Sequence, residues 1–126
     1  MTITLYGFGE SGNAYKVALM LQLTGTPWEL RFVDFFKGEA RSPEFLKVNE
    51  MGEVPVLVDG DQVLTQSGLI LDHLVQKTGQ FGGTTAAEAR EIWRWMLFDN
   101  HKFTAYYAAL RFIFCLSASN AATSFA

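Results

Sequence analysis

Over roughly the first eighty residues the apolar positions switch between strand-like and helix-like spacing, and each switch marks an element. Ile3 and Leu5 lie in a short aliphatic run that stops at Gly7 and Gly9, which predicts a strand followed by a glycine-loosened loop. From Asn13 onward Val17, Met20, Leu21 and Leu23 recur at helical spacing, until Gly25-Thr26-Pro27 ends the helix. Trp28 to Val33 alternates apolar and polar residues, as a second strand would. A helical link between two strands makes them parallel.

Ser42-Pro43-Glu44 has the chemistry of a helix start: a hydroxyl cap, a proline at the first position and an acid near the positive end of the dipole. Val54 to Val58 and Gln62 to Leu64 flank Asp59-Gly60-Asp61, a turn sequence suited to an antiparallel hairpin. Ser67 is then expected to cap a helix whose Ile70, Leu71, Leu74 and Val75 form one apolar face ending near Gly79. The resulting order, β-α-β-α-β-β-α, is that of an α/β domain.

Gly79 to Thr85 is small and polar and marks the domain boundary, giving a domain over residues 1–80 and a partial helical region over 81–126. A long helix is expected from about 86 to 114. One of its faces carries Ile92, Trp95, Met96 and Phe103, and another carries Trp93, Leu97, Tyr107 and Phe114, a pattern that calls for partners on both sides. The uncharged residues after it read as a frayed tail.

Composition narrows the class. With 49% hydrophobic and 18% charged residues the chain should fold around a core, and 126 residues suffice for one domain plus an appendage. A net charge of -3 without a basic cluster gives no reason to expect nucleic acid or an anionic membrane as partner. The single cysteine, Cys115, excludes an intrachain disulfide, a CxxC pair and a cysteine-rich metal site, so no metal is expected and a reducing compartment fits. Cys115 itself reads as a small apolar filler, and His73 as a packing or surface residue. The start of the chain lacks the basic and apolar segments of a signal peptide, and Arg111 interrupts the most apolar stretch, Phe103 to Leu116. The expected location is cytoplasmic.

Two places carry candidate chemistry. Val54-Pro55 sets a proline at the entry to a strand, either as a trans edge proline or as a cis turn that presents the Val54 backbone to an extended peptide. Gln66-Ser67 stands at a helix N-terminus, where free N–H groups and the dipole attract a carboxylate. Together they suit a small, anionic, peptide-like ligand.

Leu5-Tyr6-Gly7 leading to Ser11, then Asn49-x-x-Gly52-Glu53-Val54-Pro55-Val56-Leu57, then Gln66-Ser67-x-x-Ile70, in that order, resemble the N-terminal thioredoxin-like domain of the glutathione transferases. The resemblance implies a cis Val54-Pro55 bond, with the Val54 backbone holding the cysteinyl part of glutathione and Gln66 and Ser67 its γ-glutamyl end. It further implies that Ser11 stabilises the glutathione thiolate, with Tyr6 as an alternative and Asn13 in support. Lys37 matches a basic position that meets the glycine carboxylate in bacterial members, and His101-Lys102 resembles a His-Lys pair near the thiol in the bacterial beta class. Glu53 departs from the Lys or Gln common at its position. A cytoplasmic homodimer that joins the thiol of glutathione to a small electrophile, the chemistry of detoxification, follows from the same resemblance. The short second region fits instead a non-catalytic module that binds glutathione or another protein. Its uncovered aromatic residues would drive self-association.

Overall fold

A computed structural model describes residues 2–116. The chain divides into two compact units, Met1–Gly82 and Gly83–Ala126. In the first, β1 (Ile3–Gly7), α1 (Gly12–Leu23) and β2 (Trp28–Phe32) are followed by single 3₁₀ turns at Phe35–Lys37 and Glu39–Arg41. Then come α2 (Pro43–Leu46), β3 (Val56–Asp59), β4 (Gln62–Thr65) and α3 (Ser67–Thr78). The four strands form one sheet in the order β2-β1-β3-β4, with β2 parallel to β1 and the other neighbours antiparallel. This is the thioredoxin-like arrangement that the sequence predicts.

The two periodicities meet in the core. Ile3, Leu5 and Leu57 point to one face of the sheet and pack against Val17 and Leu21 of α1 and Ile70 and Leu74 of α3. Full burial of each such side chain contributes about 1.5–3 kcal/mol. On the opposite face a smaller cluster joins Val56 to Val33, Ala40 and Phe45, with Tyr6 packed against it. Gly60 and Asp61 alone link β3 to β4, and Gly60 takes the positive φ of 64° that this tight hairpin needs.

Two local expectations change. Ser67 does not cap α3: Gln66 is the N-cap, at φ 69°, and Ser67 is the first helical residue. The left-handed turn at Gln66 brings the chain off β4 one residue earlier than a serine cap would. β2 is also more exposed than its alternation suggests, with Leu30 at 54% and Phe32 at 60%. It is an edge strand whose Trp28 packs against the core, while Leu30 and Phe32 lie outside it.

In the second unit α4 (Ala86–Phe98) begins with a capping box, in which Thr85 accepts from the Glu88 N–H and the Glu88 carboxylate accepts from the Thr85 N–H. The single α-helix expected over 86–114 stays helical but widens to π-helical pitch over Asp99–Ala108, returns to α5 (Ala109–Arg111) and widens again over Phe112–Leu116. Asp99, Asn100, His101 and Thr104 are weak α-helix formers, and Thr104 Oγ1 donates to Asp99 Oδ1 at 3.1 Å across five positions. Trp93, Trp95, Leu97 and Tyr107 are exposed, and so is Cys115, which is therefore not the buried filler expected of it. The tail expected at the chain's end falls mainly on residues 117–126, outside the described residues. No helix among the described residues is long and apolar enough to cross a membrane.

Candidate functional site

The loop that leads into β3 is fixed by a buried asparagine. Asn49, only 2% exposed, accepts from the Met51 N–H through Oδ1 at 3.1 Å and donates from Nδ2 to the Glu53 carbonyl at 2.9 Å. Between them Gly52 adopts φ 64°, and a Cβ there would lie 2.9 Å from the Ala40 carbonyl oxygen. Only glycine fits both the backbone angle and the space. The chain then passes through the Val54-Pro55 peptide, which is cis, into β3.

Sheet register brings the second half of the motif alongside. Val56 pairs with Thr65, so the residues just before β3 and just after β4, Val54-Pro55 and Gln66-Ser67, lie at the same end of the hairpin. Gln66 Nε2 lies 3.3 Å from Met51 Sδ, tying the α3 cap to the Asn49 loop.

A cavity of about 280 Å³ opens here, lined by Phe8, Ser11, Asn13, Phe35, Glu53 and Val54. Phe8 and Phe35 stack at 4.8 Å and form its aromatic wall. Ser11 caps α1, its Oγ accepting from the Ala14 N–H at 3.1 Å. That bond uses a lone pair and leaves the hydroxyl proton free to be donated elsewhere. The positive end of the α1 dipole lies at the same place. Behind Ser11, Ser67 Oγ donates to Asn13 Oδ1 at 3.5 Å, a long contact between the starts of α1 and α3.

Ser11 and Val54 thus share one cavity, and Ser67 joins it through Asn13. Lys37 does not line it: this side chain is 86% exposed and 3.7 Å from Asp34 Oδ2, although Phe35 in the same 3₁₀ turn forms part of the wall. Tyr6 is not among the lining residues: it packs edge-on to Phe45 and beneath the Arg31 guanidinium at 5.5 Å, in the same cluster as Phe35 and Val54. His101 belongs to the second unit, where it is exposed. Among the described residues no group of three or more His, Cys, Asp or Glu side chains could hold a metal ion.

Sequence reasoning passes over Phe8 and Phe35, whose roles depend on two loops meeting, and over the brace made by Asn49. The Asn49-x-x-Gly52 spacing carries that last signal, since a side chain three residues from a left-handed glycine can bridge the turn.

Another polar contact fixes α3 from its far end. His73 Nε2 and Lys77 Nζ both lie 2.9 Å from Asp59 Oδ2 at the end of β3. The hydrogen bond from Lys77, and after it the one from His73, hold the Asp59 carboxyl below the usual carboxylate range.

Comparison with known proteins identifies the family of the first unit. The family model described as "Glutathione S-transferase, N-terminal domain" matches residues 1–76. Glutathione S-transferase 1 of Dianthus caryophyllus is 48% identical over 73 residues, covering 58% of this chain and 33% of its own length. The chain thus spans about a third of that relative. Among solved structures, a possible glutathione S-transferase from Rhodopseudomonas palustris superposes with a TM-score of 0.85 at 34% identity, over 92% of this chain and 60% of that one. Ure2p in complex with glutathione gives 0.80 at 31% identity, over 90% and 56%.

Proposed function

The chain belongs to the family of glutathione S-transferase N-terminal domains, and we propose that its cavity binds glutathione, with Ser11 stabilising the thiolate. The observation that carries this reading is the shared cavity of Ser11 and Val54 at the positive end of α1. An extended tripeptide laid along Val54 pairs its cysteinyl backbone with the Val54 N–H and C=O. Its γ-glutamyl end then runs toward Gln66 and Ser67 at the N-terminus of α3, and its glycine carboxylate toward Lys37. Glu53 lies in the lining, and its charge opposes an anionic ligand.

The energetics suffice for activation. Lowering a thiol pKa by about two units needs roughly 2.7 kcal/mol of differential stabilisation. A hydrogen bond to a charged group supplies about 1.5–3 kcal/mol, and a helix N-terminus adds up to about 1 kcal/mol. The thiolate sulfur then forms a bond to an electrophilic carbon, and the leaving group departs with its electron pair. We assign this chemistry to a homodimer acting on small electrophiles in the cytoplasm.

A second reading, binding without turnover, draws on the second unit. Trp93, Trp95, Leu97 and Tyr107 are exposed there, and the described residues of that unit bury none of their apolar side chains. Calorimetric binding of glutathione and conjugation of a generic aryl halide, measured on one preparation, separate the two. Ser11→Ala should abolish conjugation and raise the pKa of the bound thiol by about two units, while Ser11→Thr keeps both. Binding without conjugation in the parent chain selects the second reading. Conjugation untouched by Ser11→Ala removes Ser11 from the mechanism.

A further inference from the structure

β2 forms an edge of the sheet, and the bonds at its two ends show which of its residues face outward. Ile3 N donates to Pro27 O at 3.2 Å, and Val33 N donates to Gly7 O at 3.0 Å. In a parallel ladder, alternate residues turn both backbone groups toward the neighbouring strand. The odd-numbered residues therefore face β1, and Trp28, Leu30 and Phe32 present N–H and C=O to the outside.

The side chains of this strand are self-complementary. Leu30 and Phe32 are exposed on one face, and Glu29 and Arg31 are exposed on the other. Both charged groups are steadied within the sheet: Glu29 Oε1 accepts from Thr4 Oγ1 at 3.2 Å, and Arg31 lies over the Tyr6 ring at 5.5 Å. Reading the strand backward about Leu30 exchanges Glu29 with Arg31 and Trp28 with Phe32.

We propose that β2 is a self-docking edge: a second copy of this chain adds its own β2 antiparallel, about a two-fold axis at Leu30. Leu30 then exchanges both backbone hydrogen bonds with the partner's Leu30, and Trp28 does so with the partner's Phe32. Glu29 meets the partner's Arg31 at the closer, non-hydrogen-bonded positions, twice by symmetry. The two nearest alternative registers of the same hydrogen-bond parity set Glu29 against Glu29, or Arg31 against Arg31, and each is repelled at its centre. Charges on an edge ordinarily prevent sheet extension. Here they forbid the neighbouring pairings and favour one.

This surface lies on the first unit and does not rest on the glutathione reading. Charge exchange in the full chain, followed by sedimentation at micromolar concentration, tests it. Glu29→Arg and Arg31→Glu should each weaken self-association roughly tenfold, and the double variant should restore it. Singles that associate like the parent, a double variant no better than the singles, or a monomeric parent would each overturn the proposal. A second measurement covers variants that fold poorly. In a Cys115→Ser background, Leu30→Cys should form an intermolecular disulfide on mild oxidation, since directly opposite residues in such a pair lie within bonding range. Val63→Cys, exposed on the other edge strand, should not. Cross-linking at position 63 instead, or at neither position, would overturn the proposal as well.

Discussion

The amide of Asn49 donates to the carbonyl of Glu53 at 2.9 Å, and this bond closes the loop whose next residue, Val54, enters the cavity. Removing it takes away this partner of the Glu53 carbonyl, and the Met51 N–H loses its acceptor with it. Asn49→Ala should cost about 2 kcal/mol in urea unfolding and weaken glutathione binding more than it lowers stability of the remaining sheet. Unchanged binding in a folded Asn49→Ala would show that the brace does not position Val54.

Gly52 is the other fixed point of that loop. Gly52→Ala forces a side chain into a left-handed backbone 2.9 Å from the Ala40 carbonyl oxygen. A loss of about 2 kcal/mol or more is expected, read as a lower urea midpoint with an unchanged slope. A neutral substitution would mean that the loop relaxes freely.

Asp59 predicts a pH dependence. Lys77 and His73 depress its carboxyl in the folded chain below the ordinary 3.8. A folded value below the unfolded one gives stabilisation that is fully present above about pH 4 and lost as pH falls through the folded value. Asp59→Asn should therefore cost about 1–2 kcal/mol at pH 7, with the gap from the parent closing in acid. A gap that stays constant with pH would assign the loss to packing.

The aromatic residues of the second unit make a separate test. With Trp93, Trp95 and Leu97 exposed, the chain should enhance the fluorescence of an apolar dye. Trp93→Ser with Trp95→Ser should reduce that signal by about half or more. No enhancement in the parent would mean that these side chains are covered in solution.

Periodicity and turn chemistry made most of the first unit legible. Val17 and Leu21, or Ile70 and Leu74, sit at helical spacing because one face must meet the sheet, and that requirement is local enough to read from the chain. The exposure of Leu30 is not local, because it depends on β2 having no strand beyond it. For the cavity, Ser11 and Val54 could be named from their motifs, but their meeting with Phe8 and Phe35 depends on how two loops pack. Ser67 has the chemistry of a cap, yet the cap of α3 is Gln66 and Ser67 is the first helical residue, since the left-handed φ at Gln66 is a backbone choice that no side-chain preference announces. The widening after Phe98 is equally hidden, because it is a change of backbone hydrogen-bond partner that no residue between Asp99 and Ala108 announces by its type.

Mechanically, α3 is a strut clamped away from the cavity. Its 12 residues span about 18 Å, from Ser67 beside the cavity to the region where Lys77 and His73 grip Asp59. A pull on Ser67 is resisted along the axis of the helix by an ionic anchor on the hairpin, so the helix cannot slide without dragging β3 and β4. Since the same β3 begins right after Pro55, Val54-Pro55 and Gln66-Ser67 are carried on one frame, and the spacing between them is set by the hairpin rather than by either loop alone.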